Sequence, residues 1–223
     1  MIAGSGLRTI LGAVLAAALC AACANDTSPR NLEVTHDGLE RVANSRVDRV
    51  WVKPGVDFSQ YTEIGLLDCS VSFRRNWRMN HPRVRTRDME RIKSTLADEF
   101  RQVFTEALEN GGHPVITDAD DHVLLIRPAI IDLDVAAPDT NSGGRSNSFT
   151  TSPGAMTLVI ELYDSVSNEI LARAIDRRRT WNVGNVLRWT TRGTNRDAAR
   201  RILRIWANLL VSRLDEIHGK PGG

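Results

Sequence analysis

Four kinds of side chain in this 223-residue chain could do chemistry: three thiols, a run of carboxylates, five imidazoles and an uneven set of guanidiniums. Cys69 sits in an alternating stretch, with Leu67, Cys69, Val71 and Phe73 on one side and Asp68, Ser70 and Ser72 on the other. A thiol on an apolar strand face behaves as a small buried hydrophobe, whereas a nucleophilic thiolate needs exposure and an electropositive neighbour. Cys69 is therefore expected to be inert. Asp118, Asp120, Asp121 and His122, with Asp132 and Asp134 downstream, are the densest set of oxygen ligands. Such ligands could hold calcium, but their spacing is not that of a calcium loop, and turns favour Asp for backbone reasons. A solvated turn without metal is expected there. His36, His81, His113, His122 and His218 are scattered. No Gly-rich phosphate loop, His-Glu-x-x-His, Gly-x-Ser-x-Gly or paired Cys-x-x-Cys appears, so neither a cofactor nor a catalytic set is expected.

The other two thiols lie in LAAALCAACANDTSPR, residues 15–30, where Cys20 and Cys23 close the apolar run from Ile10 to Leu19. With Arg8 ahead of it, that run reads as a secretory signal over residues 1–22, because ten apolar residues fall well short of the roughly 20 that span a bilayer. Bacterial lipoprotein signals resemble Leu-(Ala/Ser)-(Gly/Ala)-Cys, the cysteine becoming residue one and carrying acyl chains. Cys20-Ala21-Ala22 before Cys23 is similar at the two positions nearest the cut and departs at the third. Cys20 follows the bulky Leu19 and is expected to leave with the peptide. Lipidation at Cys23 is the expectation; ordinary cleavage after Ala24 is the alternative. The resemblance implies several acyl chains, and two or more hold a protein stably at about 0.8 kcal/mol per buried methylene. Ala24 at the following position, instead of Asp, implies the outer membrane with the chain facing the periplasm.

Formal net charge is +2, and removing residues 1–22, whose only charge is Arg8, leaves +1. So balanced a chain has no global attraction to nucleic acid, and export argues against that partner too. The distribution is nonetheless uneven. Residues 98–139 hold ten acids and two bases, while residues 173–204 hold ten arginines and two acids. Arg177, Arg178 and Arg179, with the helical row Arg196, Arg200 and Arg204, dominate the second segment. Two readings stand: the segments neutralise one another across adjacent elements, or the arginines form a face for an anionic envelope component or protein, to which guanidinium is suited by its bidentate fork.

Elements follow from periodicity. Residues 23–48 are polar and non-periodic and read as a tether, with a globular domain over 49–219 and a tail over 220–223. The stretch 63–73 reads as a strand. A helix is expected after Thr86, with Met89, Ile92, Leu96, Phe100, Val103, Phe104 and Ala107 as its apolar stripe and Gly111-Gly112 as its stop. Short and long strands are expected near 114–117 and over 122–137, Pro128 marking a bulge or an edge. Strands 156–164 and 169–176 make a hairpin, and residues 138–154, rich in Ser, Thr, Asn and Gly, make a flexible or binding loop. A second helix is expected from Thr194, with Asp197 completing a capping box, Ile202, Trp206, Leu209, Leu210 and Ile217 as its apolar face and Gly219 as its end. Trp181 and Trp189 are expected in the core. The fold class is α+β: one domain, a mainly antiparallel sheet with two long helices on one face.

The segments HDGLERV (36–42), VWVKPGVDFSQYTEIGLLDCSVSF with Arg74-Arg75-Asn76-Trp77, the helix from Asp88, VLLIRPAIIDLDVAAPD, MTLVIELYDSVSNEILARAIDRR and TNRDAARRILRIWANLLVSRLD resemble, in that order, a family of bacterial lipoproteins catalogued as domain of unknown function 3313. The resemblance implies an envelope lipoprotein and carries no catalytic residues. The expected function is thus a membrane-anchored, non-enzymatic accessory protein. A carrier of a small apolar ligand and a hydrolase built on the 118–134 carboxylates are the alternatives.

Overall fold

The computed structural model describes residues 33–135, 149–150, 154–179, 188–189 and 192–220, within a compact unit that begins at Glu33. Eight strands make one sheet: β1 (Glu40–Val42), β2 (Arg49–Val52), β3 (Glu63–Leu66), β4 (Ser70–Phe73), β5 (Val115–Ile116), β6 (Val123–Val135), β8 (Gly154–Asp164) and β9 (Ile170–Arg179). Their order is β1-β2-β9-β8-β6-β3-β5, with β4 also on β6. The pairs β1–β2, β2–β9, β8–β9 and β6–β8 are antiparallel, and β3 and β4 run parallel to β6. The short strands β7 (Phe149–Thr150) and β10 (Arg188–Trp189) pair separately.

Helix α1 is one turn, Trp77–Asn80, and α2 and α3 are long, Thr86–Asn110 and Arg192–Ile217. Along β6, alternate residues Leu124, Ile126, Pro128 and Ile130 are buried, and on β8 so are Met156, Leu158 and Ile160. These join Leu96, Phe100, Phe104 and Leu108 of α2 and Ile202, Leu203, Trp206 and Leu214 of α3 in one core. The helix stripe read from the sequence is thus the core-facing one. The hairpin is also as expected, turning at Asn168 in the left-handed region (φ 57°) with Asp164 accepting from the Val166 and Ser167 amides.

Several expectations need correction. Residues Glu33–Asp48 are not tether: Thr35 closes a turn onto Leu39, Leu39 is fully buried, and β1 adds to the sheet. The run lacks periodicity because side chains hold it, with Arg173 on Asp37 at 2.6 Å and the Asp48 amide on Asp176 at 3.1 Å. Lys220, expected in the tail, donates to the Gly111 and Gly112 carbonyls at 3.3 and 3.2 Å. The strand 63–73 is two strands, and the break leaves Leu67 42% exposed while Cys69 stays buried. Pro128 marks neither an edge nor a bulge. It lies mid-sheet opposite Ile160, level with the gap between β3 and β4, where a missing amide proton costs least. The bulge comes later, where Asp132 takes φ 52° and the register to β8 shifts. Arg85, not Thr86, holds the N-cap position of α2, without a side-chain capping bond, and α3 starts two residues before Thr194. Its buried face also includes Leu203, Ala207 and Leu214. The expected signal segment 1–22, Cys23, residues 136–148 and 151–153, Trp181 and the side chain of Trp189 lie outside the described residues.

Candidate functional site

Connectivity sorts charge toward the two ends of the sheet. Strand β6 starts beside the β8–β9 turn, with Leu124 opposite Asp164, and ends beside the far ends of β4 and β9. Helices α2 and α3 run parallel: Glu99, midway along α2, meets Arg196 and Arg200 in the first half of α3, and His113, just past the end of α2, meets Asp215 near the end of α3. Both helix starts therefore share an end with the segment after β4 and with the close of β9. Arginines collect there. Asp118, Asp120, Asp121, Asp164 and Glu169 collect at the other end.

The segment joining β4 to α2 is the most concentrated part. Residues 74–87, RRNWRMNHPRVRTR, carry six arginines and no acid. Only Trp77 and Val84 are buried in it, His81 is partly covered, and the remaining residues are exposed. Trp77, 1% exposed, is the root: its ring stacks on Phe73 at 4.3 Å and on His81 at 4.1 Å. Asn76 enters the turn at φ 62°, a region Asn tolerates better than most residues. His81 Nδ1 lies 2.9 Å from the Trp77 carbonyl, which closes the loop on itself. Arg74 reaches Asp134 at 3.6 Å. Among the described residues, no ion pair reaches Arg75, Arg78, Arg83, Arg85 or Arg87. Met79, 76% exposed, stands among them.

The arginines singled out from the sequence are placed differently. Arg196 and Arg200 both turn onto Glu99, a buried carboxylate on α2; Arg200 Nε lies 2.9 Å from Glu99 Oε2 without hydrogen-bond alignment. Arg178 donates to Asp176 at 2.7 Å, and the same carboxylate oxygen accepts from the Trp206 indole at 2.7 Å. Arg177 donates to Thr157 at 3.2 Å and lies 3.8 Å from Asp132. Arg179 and Arg204 are exposed. Four of the six thus serve internal neutralisation, and the pairs of Arg196 and Arg200 with Glu99 and of Arg177 with Asp132 join the two oppositely charged segments. Arg179 and Arg204 stay outward, and so do five of the six arginines in 74–87, a concentration that the sequence reading passed over. Their signal was present as six arginines in fourteen residues without an acid.

Three other polar groupings are self-satisfied. On the face of the sheet away from the helices, Glu161 accepts from Arg127 at 3.0 Å, Arg173 at 2.8 Å and the Tyr163 hydroxyl at 3.0 Å. Partial burial opposes ionisation of Glu161, but those three donors outweigh it and hold its carboxyl below the usual range. Asp37 is held at about 2, first by the Thr35 hydroxyl and then by Arg173. At the acidic end, His113 Nε2 lies 2.9 Å from Asp215 and the Tyr61 hydroxyl donates to Asp164 at 2.9 Å. Burial, then that carboxylate, pushes Tyr61 up to about 12. The Asp118–His122 turn is exposed, and Asp132 and Asp134 sit at the opposite end of β6, about 35 Å away at 3.3 Å per residue. These carboxylates do not form one site. Among the described residues, no group of three His, Cys, Asp or Glu could hold a metal ion. Burial pushes the Cys69 thiol up to about 12.

The family model described as a protein of unknown function (DUF3313) matches residues 31–210. No curated protein matches the sequence. Among solved structures, a single-residue variant of the PelC dodecamer from Paraburkholderia phytofirmans is similar at 10% identity, over 72% of this chain and 97% of that one, with a TM-score of 0.38. A neuraminyllactose-binding hemagglutinin homolog from Helicobacter pylori is similar at 10% identity, over 72% and 91%, with a TM-score of 0.34. Protein XCC0632 from Xanthomonas campestris is similar at 12% identity, over 70% and 88%, with a TM-score of 0.32.

Proposed function

The chain belongs to the family of proteins of unknown function DUF3313, and on that premise we propose that it is an envelope lipoprotein, anchored through acyl chains on Cys23, whose domain binds an anionic component without catalysing a reaction. The binding half rests on one observation: arginines 75, 78, 83, 85 and 87 are exposed on one segment without a carboxylate partner among the described residues. Guanidiniums that stabilise the fold are paired here, as Arg196, Arg200 and Arg178 are, so an outward unpaired set has work outside the chain. The anchoring half rests on the apolar run, the small residues before Cys23 and the short span of that run. An anchor of that kind faces the periplasm, where anionic headgroups, lipopolysaccharide phosphates and acidic proteins are the available anions and nucleic acid is not.

Two measurements test the two halves. Cys23→Ala is expected to abolish acyl labelling and to move the chain from the membrane to the soluble fraction. A native terminus without acyl groups would refute the anchor. Replacing Arg75, Arg78 and Arg83 by Glu is expected to remove cross-linked partners while leaving the anchor in place. Unchanged cross-linking would refute the site.

A further inference from the structure

We propose that the 74–87 surface lies against a bilayer, with its arginines on anionic phospholipid headgroups and Met79 entering the interface. The inference deepens the anionic-binding reading above by naming the ligand, and it does not depend on acylation. Three features of the segment favour a lipid surface over an acidic protein. It is open to solvent along its length: in fourteen residues only Trp77 and Val84 are buried, and so continuous an exposed stretch is one that a plane can meet.

Its chemistry is mixed in the way an interface is. Met79 is the most exposed large apolar side chain among the described residues, at 76%, and the exposed Arg75, Arg78 and Arg83 lie within four residues of it along the chain. Apolar tips surrounded by cations bind where headgroup and acyl chain meet, the cation taking phosphate and the apolar group leaving water. Arginine adds bidentate geometry toward phosphate oxygens.

Its root is rigid. Trp77 is clamped between Phe73 and His81, and Val84 is 5% exposed, so the segment is already ordered when it meets the surface. Little ordering entropy is then lost on contact. The neighbouring carboxylates do not compete: Asp134 is occupied by Arg74, Asp88 by Arg91 and Glu90 by Lys93.

The test uses the exported chain, residues 23–223 with Cys23→Ser, which contains the whole compact unit from Glu33 and carries no acyl group. Co-sedimentation is measured with phosphatidylcholine vesicles and with vesicles containing phosphatidylglycerol. Binding is expected to the anionic vesicles alone, and to weaken as salt shortens the Debye length from about 30 to 8 Å. Each arginine near an anionic surface is worth about a fivefold change in partition, so Arg75→Glu, Arg78→Glu and Arg83→Glu together should lower it by at least about a hundredfold. Met79→Ser should lower it severalfold at every salt concentration. These side chains are exposed, so the urea midpoints of the variants should match the parent. Equal binding to neutral vesicles, or unchanged binding by the triple variant, overturns the proposal. Capture of an acidic protein without vesicle binding also overturns it and gives the surface to a protein partner. An unmodified Cys23 in the native chain would refute the anchor and leave this vesicle result standing.

Discussion

Glu99→Ala is the perturbation that most directly tests how the two charged segments hold the helices together. Glu99 is 4% exposed on α2 and takes both Arg196 and Arg200 of α3, whose side chains are 56% and 25% exposed. The cost divides by that exposure. Arg196 can rehydrate, so losing its pairing costs at most about 0.5–1 kcal/mol, as for exposed ion pairs. Arg200 keeps a buried Nε and loses its counter-charge, which costs about 1.5–3 kcal/mol. The sum is about 2–4 kcal/mol. Urea unfolding followed by circular dichroism should show a lower midpoint at unchanged slope. Arg200→Ala should then cost clearly more than Arg196→Ala. A joint replacement, Glu99→Leu with Arg200→Met, should recover much of the loss, because a buried ion pair is often no better than a packed apolar pair. The reasoning fails if Glu99→Ala costs under about 0.5 kcal/mol, or if the two arginine variants are equal.

Other outcomes follow from particular contacts. Trp206→Phe removes the indole donor from buried Asp176 and part of a packed core ring, and should cost at least about 1.5–3 kcal/mol in the same urea assay. Burial keeps the Cys69 thiol protonated and out of reach, so a maleimide should label it only after unfolding. Asp37 is depressed from 3.8 to about 2, so its carboxylate stabilises the fold fully above pH 3.8 and loses that contribution as pH falls through 2. The stability gap between the parent and Asp37→Asn should therefore be flat from pH 5 to 7 and close between about pH 4 and 2, read as urea midpoints across pH.

Much of the architecture was legible from residue order because it depends on local period. The spacing of Leu96, Phe100, Val103 and Phe104 identifies a helix face, and the alternation of 156–164 and 169–176 around Ser165–Asn168 identifies a hairpin, whatever they pack against. Burial of Cys69 follows from the same alternation. What the period could not carry was pairing between distant segments. The hook at 33–48 has no apolar rhythm, and it belongs to the sheet only because Asp37 meets Arg173 and Asp48 meets Asp176 across more than a hundred residues. The break at Leu67 and the place of Pro128 depend on how β3 and β4 share one side of β6, which neither strand encodes alone.

The division of the arginines is the sharpest instance. Residue order determined that guanidiniums cluster at 74–87, 177–179 and 196–204. Tertiary structure decided which of those charges are spent. Glu99 lies 97 residues from Arg196, and parallel packing of α2 on α3 consumes two arginines of a helical row that looks outward on a wheel. The run after β4 was left uncompensated beyond Arg74, because its residues stay at the surface around the buried Trp77 and no carboxylate among the described residues comes within reach. Charge is a property of residues; whether a charge is available depends on which opposite charge the fold brings within 4 Å.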